Sequence, residues 1–365
     1  MPHSPATPAR PLRLVAITGL SPQVVTETIW ALARRSPARL PDSITVLTSA
    51  TGAEVARRTL PQAFAALGRT LGTTLPAPEI GVMLGHSGQP LADIETDRDN
   101  DAAANAIFAT ILAATADAEW DLHVSIAGGR KTMGCLAAIA LSLCGRERDA
   151  LSHVLVDPRL QGRGDFFFPP EPPMLLPLPQ GGSVSTANHG LSLAEIPFVR
   201  LRGTWRADRL EGGFAAAVAA AQTMLAPPRL ALVPRRGFVR CNGTEVPLPP
   251  TLIAALLVLA ERARTGLPGL RAEKERDAAL TASFREALHR CAHPSAVQAA
   301  CTATVGIALD RAWLAEKCSR LNRALRAALG AASEPFLVRT EGRRPFTSYR
   351  LALPPDAIDI LQEAP

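Results

Sequence analysis

Aromatic residues make up only 4% of the 365-residue chain, and Tyr349 is its single tyrosine. That scarcity argues against nucleic-acid binding through stacked aromatic platforms. The six cysteines form no closely spaced framework, so reduced thiols are expected rather than disulfide staples. His289-Arg290-Cys291-Ala292-His293, taken with Cys301 and Cys318, matches no zinc-finger spacing. No apolar run reaches the length of a membrane span, and Met1–Pro11 is Pro-rich and polar, without the apolar core of a signal peptide. A cytoplasmic protein that does not enter the membrane is the expectation. Lysine is rare as well. Lys131, Lys274 and Lys317 stand against 36 arginines, so a lysine inside a motif carries more weight than usual.

What remains is the material of a globular protein, with 47% hydrophobic and 20% charged residues and a length comfortable for two domains. The formal charge of +6 is unevenly placed. Residues 1–227 hold 19 basic against 20 acidic side chains, whereas residues 228–365 hold 20 against 13. A basic C-terminal module suits a polyanion or an acidic partner, although Arg-rich helix faces are often only solvated.

The larger part alternates strand and helix. Leu12–Ile17, Ser43–Ser49, Leu122–Ile126 and His153–Val156 are short apolar runs of strand length. Between them, Gln23–Arg34, Gly52–Leu67, Ala102–Asp117 and Met133–Leu143 have helical periodicity, with Ser21 placed to cap the first and Pro22 to open it. The alternation predicts the α/β class, with a Rossmann-like, mostly parallel sheet covered on both faces. Residues 160–192 are expected to wrap the surface, Ile196–Arg202 to add a strand and Gly213–Leu225 a helix. Ala226-Pro227-Pro228 then breaks the chain, giving domains 1–226 and 227–365.

Two loops fall where ligands bind in such sheets, beyond the carboxyl ends of strands. Gly128-Gly129-Arg130-Lys131-Thr132-Met133 lies between a strand and a helix. Its glycines let backbone approach a phosphate, the helix N-terminus supplies N–H donors, and Arg130 and Lys131 add charge. It fits neither the Walker nor the dinucleotide spacing. The plain alternative is a tight left-handed exit from the strand. The other loop, Thr18-Gly19-Leu20-Ser21-Pro22-Gln23, offers hydroxyls, an amide and a helix N-terminus, neutral groups suited to orienting a sugar or phosphate; ordinary capping by Ser21 is the alternative. The acidic run Asp93, Glu95, Asp97, Asp99 and Asp101 departs from calcium-loop spacing and reads as a solvated, helix-capping stretch.

Thr18-Gly-Leu-Ser-Pro-Gln-Val-Val-Thr-Glu-Thr28 together with Ser125-Ile-Ala-Gly-Gly-Arg-Lys-Thr-Met133 resembles the CARF (CRISPR-associated Rossmann fold) proteins, more narrowly the ring-nuclease group of type III CRISPR systems. Asp93-Ile94, Asp99-Asn100, Ala104-Asn105-Ala106-Ile107 and Val156-Asp157-Pro158 also fit, and the resemblance covers about residues 10–205. It implies a homodimer whose paired sheet ends hold cyclic oligoadenylate, cut in some members without metal and with no cofactor. Carried over by position, Lys131 is the catalytic cation with Arg130 as helper, and Ser21 positions the 2′-OH or phosphate. Thr18, Gly19, Gln23, Gly128, Gly129 and Thr132 contact ribose or phosphate, with Asp157 and Arg159 at another strand end and His86 and Asp93 in a covering loop.

The tail resembles response-regulator winged helices. Gly243-Thr244-Glu245-Val246-Pro247-Leu248 precedes an apolar helix, Leu321-Asn322-Arg323-Ala324-Leu325 lies in a late helix, and Arg339–Leu351 reads as a hairpin. That module either reads DNA, with Arg343 and Arg344 touching phosphate, or braces a dimer or lid. An R-x4-6-H match, Arg148 to His153, runs into a strand and is treated as chance. Without an RNA-destroying effector, two functions remain. One is a ring nuclease that erases cyclic oligoadenylate, most of all the tetra-adenylate. The other is a DNA-binding regulator that reads the messenger without cutting it. A nucleotide-binding α/β protein unrelated to CRISPR is the third reading.

Overall fold

The computed structural model describes residues 10–202, 212–272, 277–291, 309–343 and 346–361. They divide into two compact units, one running to Arg202 and resuming as far as Ala217, the other from Val218 onward. Lys274, His293, Cys301 and Arg344 lie outside the described residues.

In the first unit β1 (Leu12–Ile17), α1 (Gln23–Ala33), β2 (Ser43–Thr48), α2 (Ala50–Leu71), β3 (Glu79–Val82), α3 (Asp97–Ala114), β4 (Asp121–Ser125), α4 (Lys131–Cys144) and β5 (Ala150–Leu155) follow one another. A hairpin of β6 (Leu175–Pro177) and β7 (Ser183–Ser185) and an edge strand β8 (Ser192–Glu195) complete it. The main sheet has the order β3-β2-β1-β4-β5-β8, all parallel except β8. Helices α1 and α2 pack together, as do α3 and α4, so the central strands are covered and read as continuous apolar runs. Leu14, Ala16, Val25, Ile29, Val46 and Leu60 form much of the core on the α1–α2 side.

The chain winds from β1 outward through β2 and β3, then returns to the other side of β1 to lay down β4 and β5. The topological switch point therefore lies between β1 and β4. Ala16 is paired with Ser125, so the loops leaving these two strands emerge side by side at one end of the sheet.

Element boundaries moved where side-chain caps decide them. Ser49 accepts the Gly52 N–H at 3.2 Å and starts α2 two residues early. Thr96 and Asp99 form a reciprocal capping box, so α3 begins at Asp97 and the acidic run supplies its first turn. Strand β3 was not expected; it is a four-residue edge strand interrupted by Gly81. The strand expected at Ile196–Arg202 is instead Ser192–Glu195, antiparallel to β5. Pro197 lacks the N–H that would have continued the ladder. Residues 160–191 carry a small core of Leu160, Phe166, Leu176 and Val184, and Thr26 Oγ1 donates to the Phe167 carbonyl at 2.7 Å.

Helix α5 (Phe214–Leu225) leads into β9 (Leu230–Val233), β10 (Phe238–Cys241), β11 (Thr244–Pro247), α6 (Pro250–Arg264), α7 (Ala278–His289), α8 (Arg311–Leu329), β12 (Val338–Glu341), β13 (Ser348–Leu351) and β14 (Ile358–Ile360). Strands β9 to β11 form a meander, β14 joins it parallel to β9, and β12–β13 is a hairpin. Every residue from Leu252 to Ala260 of α6 is buried. Asp310 caps α8, which buries Leu314, Cys318, Leu321, Leu325 and Leu329 on one face. Asn322 is a structural residue, exchanging two hydrogen bonds with the Val338 backbone. Cys135, Cys144, Cys241, Cys291 and Cys318 are unpaired. Among the described residues no helix is long and apolar enough to cross a membrane.

Candidate functional site

The loops after β1 and β4 touch. A Cβ on Gly19 would lie 2.8 Å from the Cα of Gly129, and one on Gly128 would lie 3.1 Å from the Cα of Thr18. Gly129 turns with φ +81°, the left-handed region that glycine enters without strain. Thr18 N–H on the Leu47 carbonyl at 3.0 Å pins the first loop to β2. The two turns thus form one backbone surface at the switch point.

A cavity of about 340 Å³ opens on that surface. Thr18, Gly19, Leu20 and Ser21 line one side, Gly129 and Arg130 another, and Asp93 with Ile94 a third, over Met83 and Met133. Ser49, which the sequence reading did not include, also lines it. Ser21, Ser49 and Arg130 stand at or beside the N-termini of α1, α2 and α4, so the positive ends of three helices converge here. Thr18 Oγ1 is buried without a hydrogen-bond partner. Arg130 donates to Asp93 through Nη2 at 2.6 Å and Nε at 3.3 Å. The Arg130 hydrogen bond holds the Asp93 carboxyl below its ordinary range and raises the guanidinium above its own. Three unpartnered or capping hydroxyls, of Thr18, Ser21 and Ser49, with backbone at a helix start and one guanidinium, are the equipment for holding a phosphate-bearing ligand.

Not every expected residue reaches this cavity. Pro22, not Ser21, occupies the cap position of α1 and makes no side-chain cap bond, which leaves the Ser21 hydroxyl without a partner among the described residues. Gln23 is buried, donates from Nε2 to the Arg163 carbonyl at 2.9 Å and lies outside the cavity lining. Gly128 backs the cavity against Thr18 and Val24 rather than lining it. Lys131 and Thr132 are exposed in the first turn of α4, not in a loop, and are not lining residues. Asp157 is not a lining residue; it is gripped by Arg159 at 2.7 and 2.9 Å, which pulls its carboxyl to about 2. His86 borders a different cavity, between β3 and α3.

The family model for CRISPR-associated protein NE0113 matches residues 21–225. None of the curated proteins matches the chain.

Proposed function

The chain belongs to the CRISPR-associated protein NE0113 family, and from that premise we propose that it is a homodimeric, metal-independent ring nuclease of the CARF type. It binds cyclic oligoadenylate, the tetra-adenylate in the first place, and cuts it to switch off type III CRISPR signalling. The observation that carries the reading is the contact of the Gly19 and Gly129 turns beneath unpartnered hydroxyls at the switch point.

The reaction needs alignment more than machinery. A ribose 2′-oxygen forms a bond to the adjacent phosphorus while the bond from phosphorus to the 5′-oxygen breaks. The 2′-OH proton ends on the departing 5′-oxygen, leaving a 2′,3′-cyclic phosphate and a 5′-OH. Holding 2′-O, P and 5′-O in line supplies most of the acceleration. Thr18 and Ser21 hydroxyls orient ribose and phosphate. Arg130, at the cavity, and Lys131, one residue on and free of any partner among the described residues, stabilise charge growing on the phosphoryl oxygens.

Labelled cyclic tetra-adenylate, incubated with the pure protein in EDTA, is expected to give linear products ending in 2′,3′-cyclic phosphate. Lys131→Ala and Ser21→Ala are expected to slow cleavage about 100-fold or more. Binding without turnover by wild type refutes the nuclease. Cleavage by Lys131→Ala at the wild-type rate refutes only that residue's role.

One observation favours a second reading, a regulator that binds DNA through the tail. The order β9–β11, α6, α7, α8 and the β12–β13 hairpin resembles a winged helix. On α8, Arg323 and Arg326 face solvent with no carboxylate partner among the described residues, whereas Arg320 is tied to Glu316. Binding to duplex DNA that weakens steeply with salt is its positive sign.

A further inference from the structure

The charges on the cavity wall cancel. Arg130 and Asp93 are the charged residues lining it among the described residues, and they are bound to each other. Asp93 is held in place. Its Oδ1 accepts the Ile94 N–H at 2.8 Å. Just before it, the Leu91 N–H donates to the Met83 carbonyl at 2.8 Å and the Leu91 carbonyl accepts from Ala50 N–H at 2.7 Å. Just after it, Thr96 caps α3. A fixed carboxylate on the wall of a cavity built from helix N-termini works against anion binding unless it discriminates between anions.

We propose that Asp93 is a specificity-determining residue that fits the cavity to singly charged phosphodiesters and turns away nucleoside di- and triphosphates. The inference rests on the reading that the cavity takes the backbone of a cyclic oligoadenylate. Such a ring and ATP present the same base and sugar and carry about the same total charge, so neither adenosine contacts nor net charge separates them; the density of charge does, spread over separate phosphodiesters in the ring and concentrated on one chain in ATP. Each phosphodiester carries one negative charge, which hydroxyls and helix-terminal N–H groups hold without a net positive wall. A triphosphate brings about four charges into the same space. Paired with Asp93, Arg130 still offers N–H donors to one phosphodiester but brings no net positive charge, so each further charge meets the Asp93 carboxylate and repulsion grows with the density of the ligand's charge.

The test compares wild type with Asp93→Asn, which removes the charge, keeps one oxygen to accept the Ile94 and Arg130 Nε N–H groups, and replaces the oxygen that accepts from Arg130 Nη2 by an NH2 group. Dissociation constants for ATP and for cyclic tetra-adenylate are measured in EDTA at low and high salt. Asp93→Asn is expected to bind ATP at least about tenfold tighter than wild type, with the gain shrinking at high salt. Affinity for the ring is expected to rise no more than about threefold. Asp93→Ser serves as the second variant, read in the same way, if thermal melting shows Asp93→Asn to be unfolded. Unchanged ATP affinity overturns the proposal, and weaker ring binding with unchanged ATP affinity shows instead that Asp93 only orients Arg130. If wild type ignores the ring while Asp93→Asn gains ATP, the ring-nuclease reading fails and the role of Asp93 stands.

Discussion

Glu27, in α1, has 2% of its surface exposed, and burial raises its carboxyl from the ordinary 4.5 to about 7. His123, in β4, is its opposite: burial lowers the imidazole from 6.5 to about 4, with Nε2 2.6 Å from Ser152 Oγ. For Glu27 the native state holds the proton more tightly than the unfolded chain. Its stabilising contribution is complete below about pH 4.5 and is lost as pH rises through about 7. For His123 the sense is reversed, with stability complete above about pH 6.5 and lost as pH falls through about 4. The two windows overlap, so their slopes offset each other. Glu27→Gln removes one slope. Its stability is expected to rise with pH across the shared window and to exceed wild type at pH 8 by up to about 3 kcal/mol, with no advantage near pH 4. Urea unfolding of both proteins at several pH values measures this. An equal difference at pH 5 and pH 8 would show that Glu27 is not held as a buried carboxyl. Glu27 stood inside a quoted motif, yet nothing in its neighbours Thr26 and Thr28 announced burial, because a carboxylate in an amphipathic helix ordinarily faces water.

At the level of elements, the strand–helix alternation and the late hairpin were legible because periodicity and short apolar runs encode them. Strands β3 and β14 were not, since four and three residues at the margins of sheets leave no pattern. The site was legible in its backbone and less so in its side chains. Gly19, Gly128 and Gly129 announced a turn and Asp93 was expected in a covering loop, but only the folded register brought Ser49 to the same cavity, and the true start of α4 moved Lys131 onto a helix. The meeting of the turns also makes a prediction. Gly19→Ala puts a methyl 2.8 Å from the Gly129 Cα, and backbone cannot yield as a side-chain tip does. The two loops must part. The substitution is expected to cost about 1–3 kcal/mol and to weaken cyclic tetra-adenylate binding at least about tenfold. Thermal melting and equilibrium binding check the two effects separately. A stable Gly19→Ala protein with wild-type affinity would mean that the turns do not form the ligand surface.

For the whole molecule, the proposed ring raises a question of size. At about 340 Å³ the cavity lies near the lower end of ligand pockets, roughly 300–1,000 Å³, so most of a four-nucleotide ring must extend beyond it. Leu20 and Leu84 protrude at this same end of the sheet, 61% and 51% exposed, where a solvated protein would place polar residues. A second copy related by a two-fold axis would cover both and present an identical cavity to the other half of a symmetric ring. Titration calorimetry is then expected to give about 0.5 ring per chain, and mixing wild type with excess Ser21→Ala should generate heterodimers that bind the ring with a single intact Ser21 hydroxyl. One ring per chain would refute the shared site. So would a chain that stays monomeric at saturating ring, because half a cradle leaves the opposite phosphates in water, where nothing holds them in line for attack.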